Sequence, residues 1–126
     1  MAFDELVRQV CAKNGWKAGE SEATVPLGGR SQRVAWMPFR HGSAEMVRLF
    51  SLIGGGEALS PTRYEAALAL NFNLPHGALA IHEKKLVMTD TFLVSEADAA
   101  EVEGSIRFIA EMADRYEKFI YGQDRN

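Results

Sequence analysis

Residues 95–121, SEADAAEVEGSIRFIAEMADRYEKFIY, decide how the rest of the chain is read. The spacing predicts one long helix. Ser95 followed three residues later by Asp98 makes a capping-box-like start. Val102, Ile106, Ile109, Ala113, Tyr116 and Ile120 recur at steps of four and three, so they share one face. A second apolar row, Phe108, Met112 and Phe119, lies roughly 100° further round the helix. Glu103, Arg107, Glu111, Asp114 and Lys118 take the opposite arc. An apolar arc this wide exceeds what one sheet face needs. A second helix or a second subunit is expected over the remainder.

Upstream of this helix the period changes from 3.6 to two. Gly77 to His82 and Leu86 to Val94 read as a hairpin around Glu83-Lys84-Lys85. Before it, Ser60 is a predicted N-cap with Pro61 at the first helical position, and the short helix it starts, TRYEAALALNFN, stops before Leu74-Pro75. Gly54-Gly55-Gly56 closes the preceding strand and opens a mobile connection. Three strands precede it. Ala23 to Leu27 contains Pro26, which cannot donate to a ladder, so an edge strand is expected. Gly28-Gly29 signals a hairpin turn. Gln32 to Phe39 places Val34 and Trp36 on one face, and Ala35, Met37 and Phe39 on the other. After a His41-Gly42-Ser43 turn, Ala44 to Ile53 has Val47, Leu49 and Ile53 on one side, and Met46, Phe50 and Leu52 on the other. Both faces are apolar, so one must meet something besides the domain's own helices, or lie under a loop.

The chain opens with another amphipathic helix. Phe3, Leu6, Val7, Val10 and Cys11 share a face, with Asp4 and Glu5 in the first turn and Lys13 in the last, all favourable to the helix dipole. Gly15 is a left-handed stop, after which Trp16 folds back onto the last turn. The predicted order is α-β-β-β-α-β-β-α, a single α+β domain spanning residues 1–126, with an antiparallel sheet carrying helices.

Composition narrows the function classes. Hydrophobic residues make up 47% and charged residues 25%, ordinary values for a folded globular domain. A formal net charge of −3 disfavours phosphate-backbone binding. One cysteine excludes an internal disulfide and fits a reducing compartment. No apolar run approaches the ~18 residues of a membrane span. MAFDELVRQV lacks the basic start of a signal peptide. A cytoplasmic protein without membrane attachment is expected.

The run from Ala66 to Ile120 resembles the second half of a type III secretion chaperone-like (Tir chaperone, CesT-like) domain, and is more similar still to that superfamily's YbjN, or sensory transduction regulator-like, branch. The residues that carry the likeness are Leu70-Asn71 ending the middle helix, Gly77 opening the hairpin, and Thr89, Thr91 and Leu93 on the last strand. Ala113-Asp114 and Tyr116-Glu117 in the final helix carry it too, with Arg30, Gln32 and Val34 upstream. The resemblance implies a small α+β domain, usually a homodimer. It also implies non-enzymatic capture of a client's extended segment on apolar patches, often continuing a sheet edge.

Catalytic and metal chemistry finds little purchase. His41, His76 and His82 stand at turns or strand ends, with no metal-ligand spacing. Cys11 lies on the apolar face of the first helix, where a small buried hydrophobe is expected. Neither glycine run has the following residues of a phosphate loop. Asp98, Glu101 and Glu103 complement the helix dipole. No cofactor or metal is expected, and neither is an enzyme. A client or partner protein is. The predicted contact residues are Val34, Trp36, Met37, Phe39, Met46, Phe50 and Leu52. Those for a homodimer interface are Leu68, Phe72, Phe108, Met112 and Phe119. The alternative is a nucleic-acid-binding sheet using Arg33, Arg48 and Trp36. The acidic chain, and the opposite faces of Trp36 and Phe39, count against it.

Overall fold

A computed structural model describes residues 2–53 and 59–121, without the side chains of 2 and 121. The elements are helix α1 (Ala2–Asn14), strands β1 (Lys17–Ala18), β2 (Glu22–Pro26), β3 (Ser31–His41) and β4 (Ala44–Leu52), helix α2 (Pro61–Leu70), strands β5 (Ala78–His82) and β6 (Lys85–Leu93), and helix α3 (Ala99–Tyr116). All six strands form one antiparallel sheet in the order β1-β2-β3-β4-β6-β5. The α+β architecture and the element order stand as predicted, with the two-residue β1 added. Among the described residues no helix is long and apolar enough to cross a membrane. The Gly54-Gly55-Gly56 connection lies outside the described residues.

Packing of α3 fixes the layers. Val102, Ile106, Ile109 and Ala113 are fully buried, and Tyr116 and Ile120 nearly so, against β3, β4 and β6. α1 packs beside α3 on the side of Glu103 and Arg107, not over the second apolar row, where the His76 ring meets Phe108 and Phe119 stays 63% exposed. Lys13 pairs with Glu103 at 3.2 Å, Arg107 donates to Asn14 Oδ1 at 3.0 Å, and the Arg107 guanidinium stands 5.2 Å from the Trp16 ring centre. Hydrogen bonds from Lys13 first, then from Asn14 and Arg107, hold the Glu103 carboxyl below its ordinary 4.5. α1 ends as its sequence predicts. Gly15 has φ +71°, and the Trp16 N–H donates to the Cys11 carbonyl at 2.9 Å, closing a Schellman motif.

The long C-terminal helix starts later than Ser95. Val94–Glu96 forms a 3-10 turn, Ala97 is extended, and Asp98 is the N-cap, its Oδ1 accepting the Glu101 N–H at 2.8 Å. Ser and Asp cap about equally well, and the Asp98 carboxylate also meets the helix dipole. Beyond Tyr116, residues Glu117–Tyr121 continue with π-helical bonding. Ser60 caps α2 as predicted, with Pro61 at its first position, and α2 ends in a 3-10 turn at Asn71–Asn73.

β2 is not the outermost strand. β1 pairs with it at Lys17↔Thr24 and Ala18↔Ala23, stopping short of Pro26. The hairpin turns use left-handed backbone where two-residue loops require it. Gly28 and Gly29 have φ +54° and +62°, and Glu83 and Lys84 have φ +52° and +68° without being glycine. Ser51, buried in the sheet, donates its hydroxyl to the Arg33 carbonyl at 2.6 Å and accepts from Gln32 at 2.8 Å.

Candidate functional site

Both principal helices lie on one side of the sheet, so the two strand faces have different fates. Val34, Trp36, Val47 and Leu49 point under α1 and α3 and are at most 3% exposed. The alternate residues point the other way, where no described element packs. Register arranges them in rows. Phe39 faces Met46, which faces Leu93; Met37 faces Arg48, which faces Thr91. Ala35, Phe50, Thr89 and Ala78 form the next row, and Leu52, Val87 and Ala80 the last. Met37, within β3, is 38% exposed and Leu93, at the end of β6, 37%, high values for large apolar residues on a sheet.

Three shallow hollows mark this face. One of about 180 Å³ lies among Met37, Arg48, Phe50, His82 and Thr89, with Val87 also in its wall. Small-molecule pockets usually enclose ~300–1,000 Å³. A second of about 280 Å³ lies between Pro38, Phe39, Met46 and Val94. The third, of about 440 Å³, is bordered by Glu22, Arg33, Leu52 and Glu117 at the end of the sheet. The Phe50 and His82 rings tilt together at 5.6 Å. Arg33 pairs with Glu22 at 3.6 Å, and the Arg48 guanidinium lies 4.3 Å above the Phe39 ring.

Five of the predicted contact residues therefore share one open face: Met37, Phe39, Met46, Phe50 and Leu52. Val34 and Trp36 do not belong with them. The pleat turns both into the core, and the Trp36 indole N–H donates to Asp4 of α1 at 2.7 Å. Trp36 is thereby also lost as a stacking platform for nucleic acid. Leu93, Thr89 and His82 are additions to the face. Their signal was strand phase, since Thr89, Thr91 and Leu93 alternate in step across β6.

The proposed self-association residues separate into two groups. Leu68, Phe72 and Phe119 are 62%, 93% and 63% exposed. Phe108 and Met112 are half-buried against the core, and the His76 ring stands edge-on to Phe108 at 4.2 Å. Ile81, also exposed, borders a small hollow with Leu68 and Tyr64.

The sheet edges are less available than the face. On β5 the Asn71 side chain takes both backbone groups of Leu79, accepting its N–H at 2.6 Å and donating to its carbonyl at 3.1 Å. That rung is closed to an added strand. At the other edge, β1 covers part of β2, and Pro26 has no N–H to offer.

Reactive groups sit apart from this face. Ser105, Asp90 and His76 border one groove, in which the Ser105 hydroxyl donates to Asp90 Oδ2 at 2.7 Å and the His76 ring packs on Phe108. Burial pushes the Cys11 thiol above its ordinary 9.0 despite nearby Arg8, the opposite of an activated nucleophile. Among the described residues no three His, Cys, Asp or Glu side chains are grouped to hold a metal. No family model matches the sequence, and no curated protein matches it.

Proposed function

We propose that this chain is a non-catalytic protein-binding module, chaperone-like or regulatory, which holds a client or partner polypeptide against the open face of β3, β4 and β6. One observation carries the reading: five large apolar side chains, Met37, Phe39, Met46, Phe50 and Leu52, converge with Leu93 on a sheet face that no described element covers. Methionine and phenylalanine beside arginine are the residue types enriched at protein interfaces, and the flexible thioethers suit apolar partners of varied shape. The likeness of Leu70-Asn71, Gly77 and the Thr89–Leu93 strand to secretion chaperone-like and YbjN domains supports the same reading, and a cytoplasmic location is part of the proposal. Homodimerisation through exposed Leu68, Phe72 and Phe119 accompanies it.

Affinity purification of tagged protein from its own cells at low salt, with mass spectrometry of what co-elutes, tests the proposal. One stoichiometric protein is expected with wild type and lost with Phe50→Asp. Bound RNA, or a small molecule with no protein, overturns it in favour of the arginine-bearing alternative. A monomer by light scattering at micromolar concentration overturns the dimer.

A further inference from the structure

We propose that Arg48 selects the partner: the segment held on the open face carries an aspartate or glutamate, set between apolar side chains, that docks on this guanidinium. The inference rests on the protein-binding reading above and adds the partner's chemistry. Arg48 sits in the second row of the face, with Met37 beside it, the apolar row of Phe39, Met46 and Leu93 before it and Phe50 after it. It is half-buried, and its guanidinium lies 4.3 Å above the Phe39 ring. A cation–π contact of this kind leaves guanidinium N–H donors free for an acceptor.

Neighbouring arginines are already matched. On β3, Arg33 has Glu22 at 3.6 Å and Arg40 has Glu45 at 3.3 Å. Among the described residues no carboxylate pairs with Arg48. Arg48 is only half-buried while the face is open. A partner that covers Met37, Phe39 and Phe50 takes the guanidinium out of solvent, and an unpaired cation in an apolar interface is strongly disfavoured. Any partner lacking an acceptor at this point is therefore rejected, while a carboxylate matches the fork with two charge-assisted hydrogen bonds. The apolar rows on either side of Arg48 accept large side chains flanking that acid. Attraction comes from the apolar rows, and selectivity from one charge.

Selection of a displayed random 12-residue peptide library against immobilised protein tests this, with wild type, Arg48→Gln, Arg48→Lys and Phe50→Asp run in parallel and folding checked by thermal melt. Wild type is expected to enrich peptides with Asp or Glu between apolar positions. Arg48→Gln should keep the apolar enrichment and lose the acid, and Arg48→Lys should keep a weakened acid preference. Exchanging the acid for its amide in one enriched, resynthesised peptide should weaken binding to wild type about tenfold and leave Arg48→Gln unaffected. Apolar enrichment without an acid, or an acid preference that survives Arg48→Gln, overturns the role of Arg48 while leaving the binding face standing. Enrichment no greater than that of Phe50→Asp overturns both.

Discussion

Trp36 on β3 and Asp4 in the first turn of α1 are joined by an indole N–H to carboxylate hydrogen bond of 2.7 Å, the Trp36 side chain otherwise being enclosed by apolar neighbours. Its partner gone, the indole N–H would be left in the core with nothing to receive it. Asp4→Ala is expected to destabilise the fold by about 1–3 kcal/mol. Asp4→Asn, which keeps an acceptor oxygen, should cost less. Urea unfolding followed by tryptophan fluorescence measures both; equal losses for the two variants would show that the hydrogen bond is not what matters.

Asn71 closes one rung of the β5 edge through two hydrogen bonds to Leu79. Asn71→Ala removes both, for an expected loss of about 2 kcal/mol at roughly 1 kcal/mol each. Amide hydrogen exchange should quicken at Leu79 more than at Leu49 in mid-sheet. Uniform quickening across the sheet would point to global destabilisation instead.

The turn joining β5 to β6 holds Glu83 and Lys84 in left-handed backbone. Such conformations cost non-glycine residues about 1–2 kcal/mol each. Replacing the pair by Asn-Gly, the preferred residues for this turn, should raise stability by about 1 kcal/mol and the melting temperature by a few degrees. An unchanged or lowered melting temperature would mean that Glu83 or Lys84 makes a compensating contribution.

Alkaline pH should weaken the protein. Burial raises the Cys11 thiol above its ordinary 9.0 and the Tyr116 phenol above its ordinary 10.0. A group whose folded pKa is raised binds its proton more tightly in the native state, so the stability it confers is complete below the unfolded value and fades as pH rises past it. The melting temperature should therefore fall from about pH 9 upward, first through Cys11 and then through Tyr116. Cys11→Ala should flatten the first part of that fall. A curve of identical shape in the variant would remove Cys11 as its cause.

Much of this fold was legible because most of it is written in periodicity. The four-and-three spacing of Val102 through Ile120 gave the buried face of α3 residue by residue, and Gly15 with Trp16 gave the end of α1. β1 was not legible, since Lys17 and Ala18 are two residues with no period, held only by pairing with Thr24 and Ala23. The start of α3 was misplaced because Ser95 and Asp98 both cap well in isolation, and tertiary packing of the Val94–Glu96 turn chose between them. On β3 and β4 the phase of each face was readable, but not which face the helices would cover. The arginines held that information. Arg33 and Arg48 share phase with Met37 and Phe50, whereas Val34 and Trp36 alternate with them, so charge marked the open side.

The placement of α3 bears on how a nascent chain survives its own synthesis. All six strands precede the helix that fills the core, and Ile120 follows Leu93 by 27 residues. At ordinary translation rates that is roughly one to five seconds during which the growing sheet lacks its principal cover. In that interval the face destined for the core has only α1 to cover it, and the face left open afterwards has nothing. The unfinished chain thus carries more apolar surface into solvent than the finished domain does.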